Sequence, residues 1–292
     1  MTVVDKSIRQ DHGPNLEARI EKSGFGQKLE YMAAEPANAT QKWPDRIWIV
    51  RHGQSAGNVA RDAAEAAEAH WIDIAERDVD VPLSELGQQQ ALALGEWFAQ
   101  QPAEARPTTY LSSPYVRSLQ STKLILEAGK FPADARIVHD ERLREKEFGI
   151  LDRMTKFGIR AEYPRLDEQR NHVGKFYFRP PGGESWCDVI LRLRSVIDTL
   201  TREHRQGRVL IVAHQVIVNC FRYLFERMTE AETLELDRKA DVPNCGVTIY
   251  EFDPTASERG KLVLRVANFV APLLEAGTPV TTAPDVPAAP KS

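Results

Sequence analysis

The chain is poor in cysteine. Its 292 residues hold only Cys187, Cys220 and Cys245, too few and too scattered for a disulfide framework or a paired-cysteine zinc site. Cys187 and Cys220 fall within helical patterns, where a thiol serves as a small packing residue. No apolar run approaches the ~20 residues that span a bilayer, so membrane insertion is not expected. The opening Met1-Thr2-Val3-Val4-Asp5-Lys6 has no basic region followed by an apolar core, which argues against a secretory signal and for a cytoplasmic protein. An excess of one charge is missing too. The formal net charge is −4, with no basic surplus to advertise nucleic-acid binding. Clusters of His or Asp ligands are absent from the sequence, so neither a binuclear metal centre nor any cofactor is expected.

What is present is an ordinary globular composition, 42% apolar and 27% charged, on a chain long enough to bury a sizeable core. Residues 1–44 read as an irregular N-terminal extension with one helical turn at 16–20, and 271–292 as a disordered tail of Pro, Ala, Thr and Val. Between them, residues 45–270 alternate strands and helices. Strands are expected at 47–50, 108–111, 136–139 and 208–213, closing with an antiparallel pair at 247–252 and 261–266. Ser84 caps a helix with an apolar stripe through Leu94 and Phe98. Ser113 and Pro114 start the next one. Ser185 with Asp188 opens a long helix through a capping box. The pattern predicts an α/β fold, a three-layer α/β/α sandwich with a mostly parallel central sheet. The Arg- and aromatic-rich residues 144–184 form an irregular inserted cap over its edge.

Arg51 and His52 follow the first strand directly, and His214 follows the fourth. In open α/β sheets the crevice outside the strand C-termini takes the ligand. Arg117, in the first turn of the helix after the second strand, faces the same edge, and Gln54 and Asn58 add amide groups. Two guanidiniums and two imidazoles at helix N-termini suit an oxyanion, and phosphate best. His52 is the candidate nucleophile, with flanking cations expected to depress its pKa. Arg51, Arg117 and His214 would grip the phosphoryl oxygens. The acid for the leaving group is any of Glu141, Glu145 and Glu147. Singly, each residue has a plain explanation, a hydrogen-bonded histidine or a solvated helix arginine. Their convergence on one edge carries the argument.

These segments resemble the histidine phosphatase, or phosphoglycerate mutase-like, superfamily. The resemblance rests on Arg51-His52-Gly53-Gln54-Ser55 with Asn58, on Leu83-Ser84-Glu85-Leu86-Gly87 with Gln90-Ala91, and on Ser112-Ser113-Pro114-Tyr115-Val116-Arg117. It continues through Leu143-Arg144-Glu145 with Gly149, Gly183-Glu184-Ser185 and Val212-Ala213-His214, all in family order. It implies a phosphohistidine intermediate on His52, formed and hydrolysed without metal, with phosphate bound by Arg51, Asn58, Arg117, His214, Gln54 and Gln215. It also singles out Glu145 as acid and then base. Gln215 stands where most members have glycine, as in the fructose-2,6-bisphosphatase branch. The Trp-Asn and Phe-Thr-Gly-Trp signature of the glycolytic mutases is missing, which favours a phosphomonoesterase. The cap, through Arg144, Arg179 and Tyr177, is expected to select a small phosphorylated substrate over phosphoprotein. A phosphotransfer mutase and a non-catalytic phosphate-binding protein remain the alternatives, and a homodimer is the candidate assembly.

Overall fold

A computed structural model describes residues 41–282. The apolar run near the start of this span forms β1 (Arg46–Arg51). Ile47 and Ile49 enter one core while Trp48 and Val50 enter another, so the strand is covered on both faces and must be apolar throughout. The chain continues through α1 (Ala56–Ala66), α2 (Glu85–Ala99), β2 (Thr109–Ser112), α3 (Val116–Ala128) and β3 (Ile137–His139). Next come α4 (Lys156–Glu162), α5 (Pro164–Val173), α6 (Trp186–Glu203), β4 (Arg208–Ala213), α7 (Gln215–Glu226) and α8 (Glu230–Lys239). It closes with β5 (Val247–Asp253), β6 (Lys261–Phe269) and α9 (Ala271–Glu275).

The six strands form one sheet in the order β3-β2-β4-β1-β5-β6. The first four are mutually parallel, while β5 runs antiparallel to β1 and β6 antiparallel to β5. Helices α6 and α7 cover one face, and α2, α3 and α9 the other. This is the expected three-layer α/β/α arrangement. Ser84 caps α2, and Ser185 and Asp188 form the capping box of α6. Among the described residues, no helix is long and apolar enough to cross a membrane.

Three features depart from the sequence reading. Helix α3 starts at Val116 with Tyr115 as its cap; the Ser113 hydroxyl accepts from Tyr115 N at 3.3 Å, before the helix proper, and lies 2.8 Å from His214 Nε2. The cap region is more regular than its composition suggests. Thr155 caps α4, Pro164 opens α5, and Leu151, Met154, Ile159 and Phe178 make a small core of their own. The region docks on the segment after α1, where Ile72 N donates to Arg153 O at 2.8 Å and Trp71 Nε1 to Glu162 Oε1 at 2.9 Å.

The third departure is the expected disordered tail. It begins with α9, whose Leu273 is fully buried against the α2–α3 face, and continues to Thr281 in hydrogen-bonded contact with Asn244. A composition of Pro, Ala, Thr and Val hid one well-placed leucine. Residues 1–40 and 283–292, with the helical turn read at 16–20, lie outside the described residues. Burial of Leu273 makes a direct prediction: Leu273→Ala lowers the unfolding free energy by about 2–4 kcal/mol. Chemical denaturation of the two proteins measures it, and a change near zero would mean the segment is not docked.

Candidate active site

The register of β1 on β4 pairs Arg51 with Ala213, so the next residue of each strand, His52 and His214, emerges side by side. His52 N donates to Ala213 O at 2.9 Å, and the two imidazole centroids are 5.1 Å apart, inclined at 66°. Both rings are fully buried. His52 Nδ1 lies 2.7 Å from Gly53 O. A carbonyl only accepts, so Nδ1 carries the proton. Arg117 Nε donates to His52 Nε2 at 3.2 Å, and a guanidinium only donates, so Nε2 holds the lone pair. Two independent partners thus agree on one tautomer, the one that leaves Nε2 as the acceptor facing Arg117.

Arg117 is itself held. Its Nη1 donates to Asp78 O at 2.5 Å and lies 3.0 Å from Asp78 Oδ1, and its guanidinium carbon stands 4.9 Å above the Tyr115 ring. Burial raises the Tyr115 phenol well above its ordinary pKa, with Asp78 and Glu147 adding to the effect. The phenol therefore stays protonated and donates to Glu147 Oε1 at 3.1 Å. His214 Nε2 has the hydroxyls of Ser113 and Ser118 at 2.8 and 3.4 Å.

The backbone after His52 is fixed from several sides. Gly53 N donates to Ser121 Oγ at 3.0 Å, and Gln54 O accepts from Ser84 N at 2.9 Å. The loop lies so close to α2 that a Cβ on Gly87 would sit 1.9 Å from Gln54 O, and one on Gly53 2.3 Å from Gly87 O. Two glycines are needed there for backbone to touch backbone.

The remaining sequence candidates fall into two groups. Arg51 is fully buried and donates from Nη1 to Val242 O at 2.6 Å. Glu145, in the segment after β3, is buried, its Oε1 accepting from Lys146 N at 2.7 Å. Other candidates serve the protein's own structure. Asn58 Oδ1 accepts from Ser55 N at 2.9 Å in the capping box of α1. Gln54 Oε1 accepts from Ser84 Oγ at 2.8 Å, and Gln215 Nε2 donates to Asp241 Oδ1 at 2.7 Å. Arg144 pairs with Glu184 at 2.7 Å, Arg179 pairs with Asp188, and Tyr177 is exposed. The two cap arginines thus meet carboxylates of this chain.

Sequence reasoning missed the residues that hold these groups in place. Asp78 was one charge among many in an aperiodic stretch. Arg192 lies on α6. Its Nη2 donates to Glu145 O at 3.2 Å while Nε bonds Glu184 Oε1 at 2.9 Å. Glu184 Oε2 in turn accepts from Glu147 N at 3.1 Å, so this pair splints the Glu145 loop. Only the i, i+8 placement of Glu184 and Arg192 about the helix start could have hinted at it. Lys146, next to Glu145, is buried with its ammonium 4.0 Å from the Phe148 ring centroid. Burial pulls its pKa down to about 8 against the opposing pull of Glu145 and Glu184.

Burial would raise the Glu184 pKa, but the hydrogen bond and charge of Arg192, the Glu147 N–H and Arg144 outweigh it and hold the carboxyl below its usual 4.5. A carboxylate with a depressed folded pKa adds stability above its unfolded pKa and loses it as pH falls through the folded value. Glu184→Gln is therefore expected to cost about 2–3 kcal/mol near neutral pH. The gap to the parent should close on acidification below 4.5. Denaturation of both proteins from pH 7 downward measures it, and a gap that widened in acid would refute it.

Comparison with known proteins identifies the family of the chain. Residues 47–263 match the model of the histidine phosphatase superfamily (branch 1). The chain is 31% identical over 190 residues to a fructose-2,6-bisphosphatase of Saccharomyces cerevisiae, covering 65% of this chain and 36% of that one. It is 30% identical to a 2,3-bisphosphoglycerate-dependent phosphoglycerate mutase of Gloeobacter violaceus, covering 67% and 82%. The chain thus spans less than half the length of the bisphosphatase relatives it matches first. Among solved structures, a mycobacterial glucosyl-3-phosphoglycerate phosphatase with inorganic phosphate superposes with a TM-score of 0.58 at 22% identity, over 78% of this chain and 99% of that one.

Proposed function

The chain belongs to the histidine phosphatase superfamily, and from that premise we propose that it is a metal-independent phosphomonoesterase that passes through a phosphohistidine on His52 and acts on a small phosphorylated metabolite. The observation that carries the reading is the His52 tautomer. Gly53 O takes the Nδ1 proton, and the Nε2 lone pair meets Arg117 in a buried pocket shared with His214.

In the first step Nε2 attacks phosphorus, the N–P bond forms and the P–O bond to the leaving group breaks. Glu145 gives its proton to the departing oxygen. Arg117 transfers its donation from Nε2 to a phosphoryl oxygen, joined by Arg51 and His214, where charge redistributes in the transition state. In the second step Glu145 takes a proton from water, the hydroxide oxygen attacks phosphorus, and the N–P bond breaks to release inorganic phosphate. The small-metabolite part is supported by a cation next to the proposed acid. Lys146 is buried beside Glu145 with its ammonium over the Phe148 ring, whereas Lys175 is paired with Asp237 at 2.6 Å.

The test is hydrolysis of an aryl phosphate in excess chelator, with rapid quenching to trap a phosphoenzyme stable to base and labile to acid. Loss of activity with chelator would refute metal independence, and a phosphoenzyme stable to acid would refute the histidine intermediate. Equal turnover of phosphopeptides and sugar phosphates would refute the small-metabolite part. The Gloeobacter relative's name supports a second reading, a phosphotransfer mutase. Transfer of phosphate to a second hydroxyl, in place of its release, would establish that one.

A further inference from the structure

The residues that finish the catalytic loop lie near the other end of the described chain. Gln54 N donates to Gln90 Oε1 at 2.9 Å. That orients the amide, so Gln90 Nε2 faces away and donates to Thr281 Oγ1 at 2.9 Å and to Pro279 O at 2.9 Å. Thr281 Oγ1 has one proton and gives it to Asn244 Oδ1 at 2.9 Å. Asn244 Nδ2 then donates to His52 O at 3.1 Å. Each donor–acceptor assignment forces the next, because the amide N–H of Gln54 can only give and the carbonyl of His52 can only accept. The result is a one-directional hydrogen-bond circuit. It leaves the backbone two residues after the nucleophile and returns at the nucleophile's own carbonyl.

Two of its members, Gln90 and Asn244, are fully buried. The Thr281 hydroxyl bridges their side chains, and Asn244 N also donates to Thr281 O at 2.8 Å. Thr281 stands outside residues 47–263, the part of the chain that matches the family. The segment reaches this position because Leu273 is buried in the core and Val280 packs beside it.

We infer that the segment 279–281 is a positioning strap for the catalytic loop, with the Thr281 hydroxyl as the joint that sets the attitude of His52. This rests on the phosphohistidine reading for its effect on rate, and on the hydrogen-bond circuit alone for its effect on the loop. A valine at 281 keeps the shape of the side chain and the backbone carbonyl but can neither accept from Gln90 nor donate to Asn244. A serine restores both.

The experiment compares the full-length parent with Thr281→Val and Thr281→Ser. Misplacement of a reacting group acts on the chemical step, so Thr281→Val is expected to lower kcat for an aryl phosphate about tenfold with KM changed less than about twofold. Thr281→Ser should return kcat to within about twofold of the parent. Amide hydrogen exchange at residues 53 and 54 should quicken in Thr281→Val while β2 and β4 keep their protection. Parent kcat in Thr281→Val, or unchanged exchange at 53 and 54, overturns the strap. So does a serine variant as impaired as the valine one with protection lost across the sheet, which marks a packing role only. A parent that hydrolyses no phosphate ester overturns the phosphatase reading instead, and the exchange comparison then decides the strap by itself.

Discussion

His52→Ala is expected to lower kcat/KM for an aryl phosphate by at least about 10⁴-fold, leaving only what binding and charge stabilisation provide. The size follows from what lies nearby among the described residues, where no ready substitute stands. His214 has its Nε2 against the Ser113 and Ser118 hydroxyls. The Tyr115 phenol is kept protonated by burial, and Cys245, although close behind the loop, is buried with its thiol pushed up to about 12. No phosphoenzyme should form on the variant. The sheet should survive, because the backbone of residue 52 still donates to Ala213, and circular dichroism checks this. Activity that survives the loss of His52 would overturn the mechanism outright.

The second large effect belongs to Arg117. Arg117→Ala is expected to reduce kcat by about 10²–10³-fold, the range for removing a preorganised donor from developing phosphoryl charge. The geometry separates two roles for this side chain. Its Nε reaches His52 Nε2, while Nη1 is held by the carbonyl and carboxylate of Asp78. A lysine has one charged nitrogen and no fork, so Arg117→Lys should recover little. Asp78→Asn keeps the carbonyl contact and loses the charge, and should cost only about tenfold. If Arg117→Ala raised KM with kcat untouched, the guanidinium would contribute uniform binding only.

How much of this was legible beforehand depends on what kind of signal each residue carries. His52 and His214 could be placed on one edge because each ends an apolar run, and two parallel strands in one sheet must present their C-termini together. Arg117 followed from a strand–turn–helix pattern. The long helix α6 was readable from its capping box and its apolar period. Residues that act by holding others carry no such period. Asp78 sits in a charged stretch with no repeating pattern, and its significance is a distance to a residue far along the chain. Arg144 and Arg179 could be read as substrate contacts because a sequence shows charge but not the carboxylate that meets it, here Glu184 and Asp188. Asn58 and Gln215 were legible as amides, but not the Ser55 and Asp241 groups that engage them. The reading of a disordered tail failed for a related reason: composition judged residues 271–282 by their average, whereas Leu273 and Thr281 make their contacts singly.

The position of β1 in the sheet has a consequence for how the molecule comes into being. Its neighbours are β4 and β5, both of which lie in the last third of the chain. At about 5–20 residues per second, the interval on the ribosome between residue 51 and residue 213 is roughly 8–30 s. For all of it, the apolar Ile47–Val50 run has neither of the strands that will flank it, while β2 and β3 can already pair with each other. Assembly is thus dominated by distant pairings, the slow kind, and the nascent chain holds an exposed sticky segment for its whole wait. The two imidazoles meet only once β4 has been made, long after the strand that carries His52.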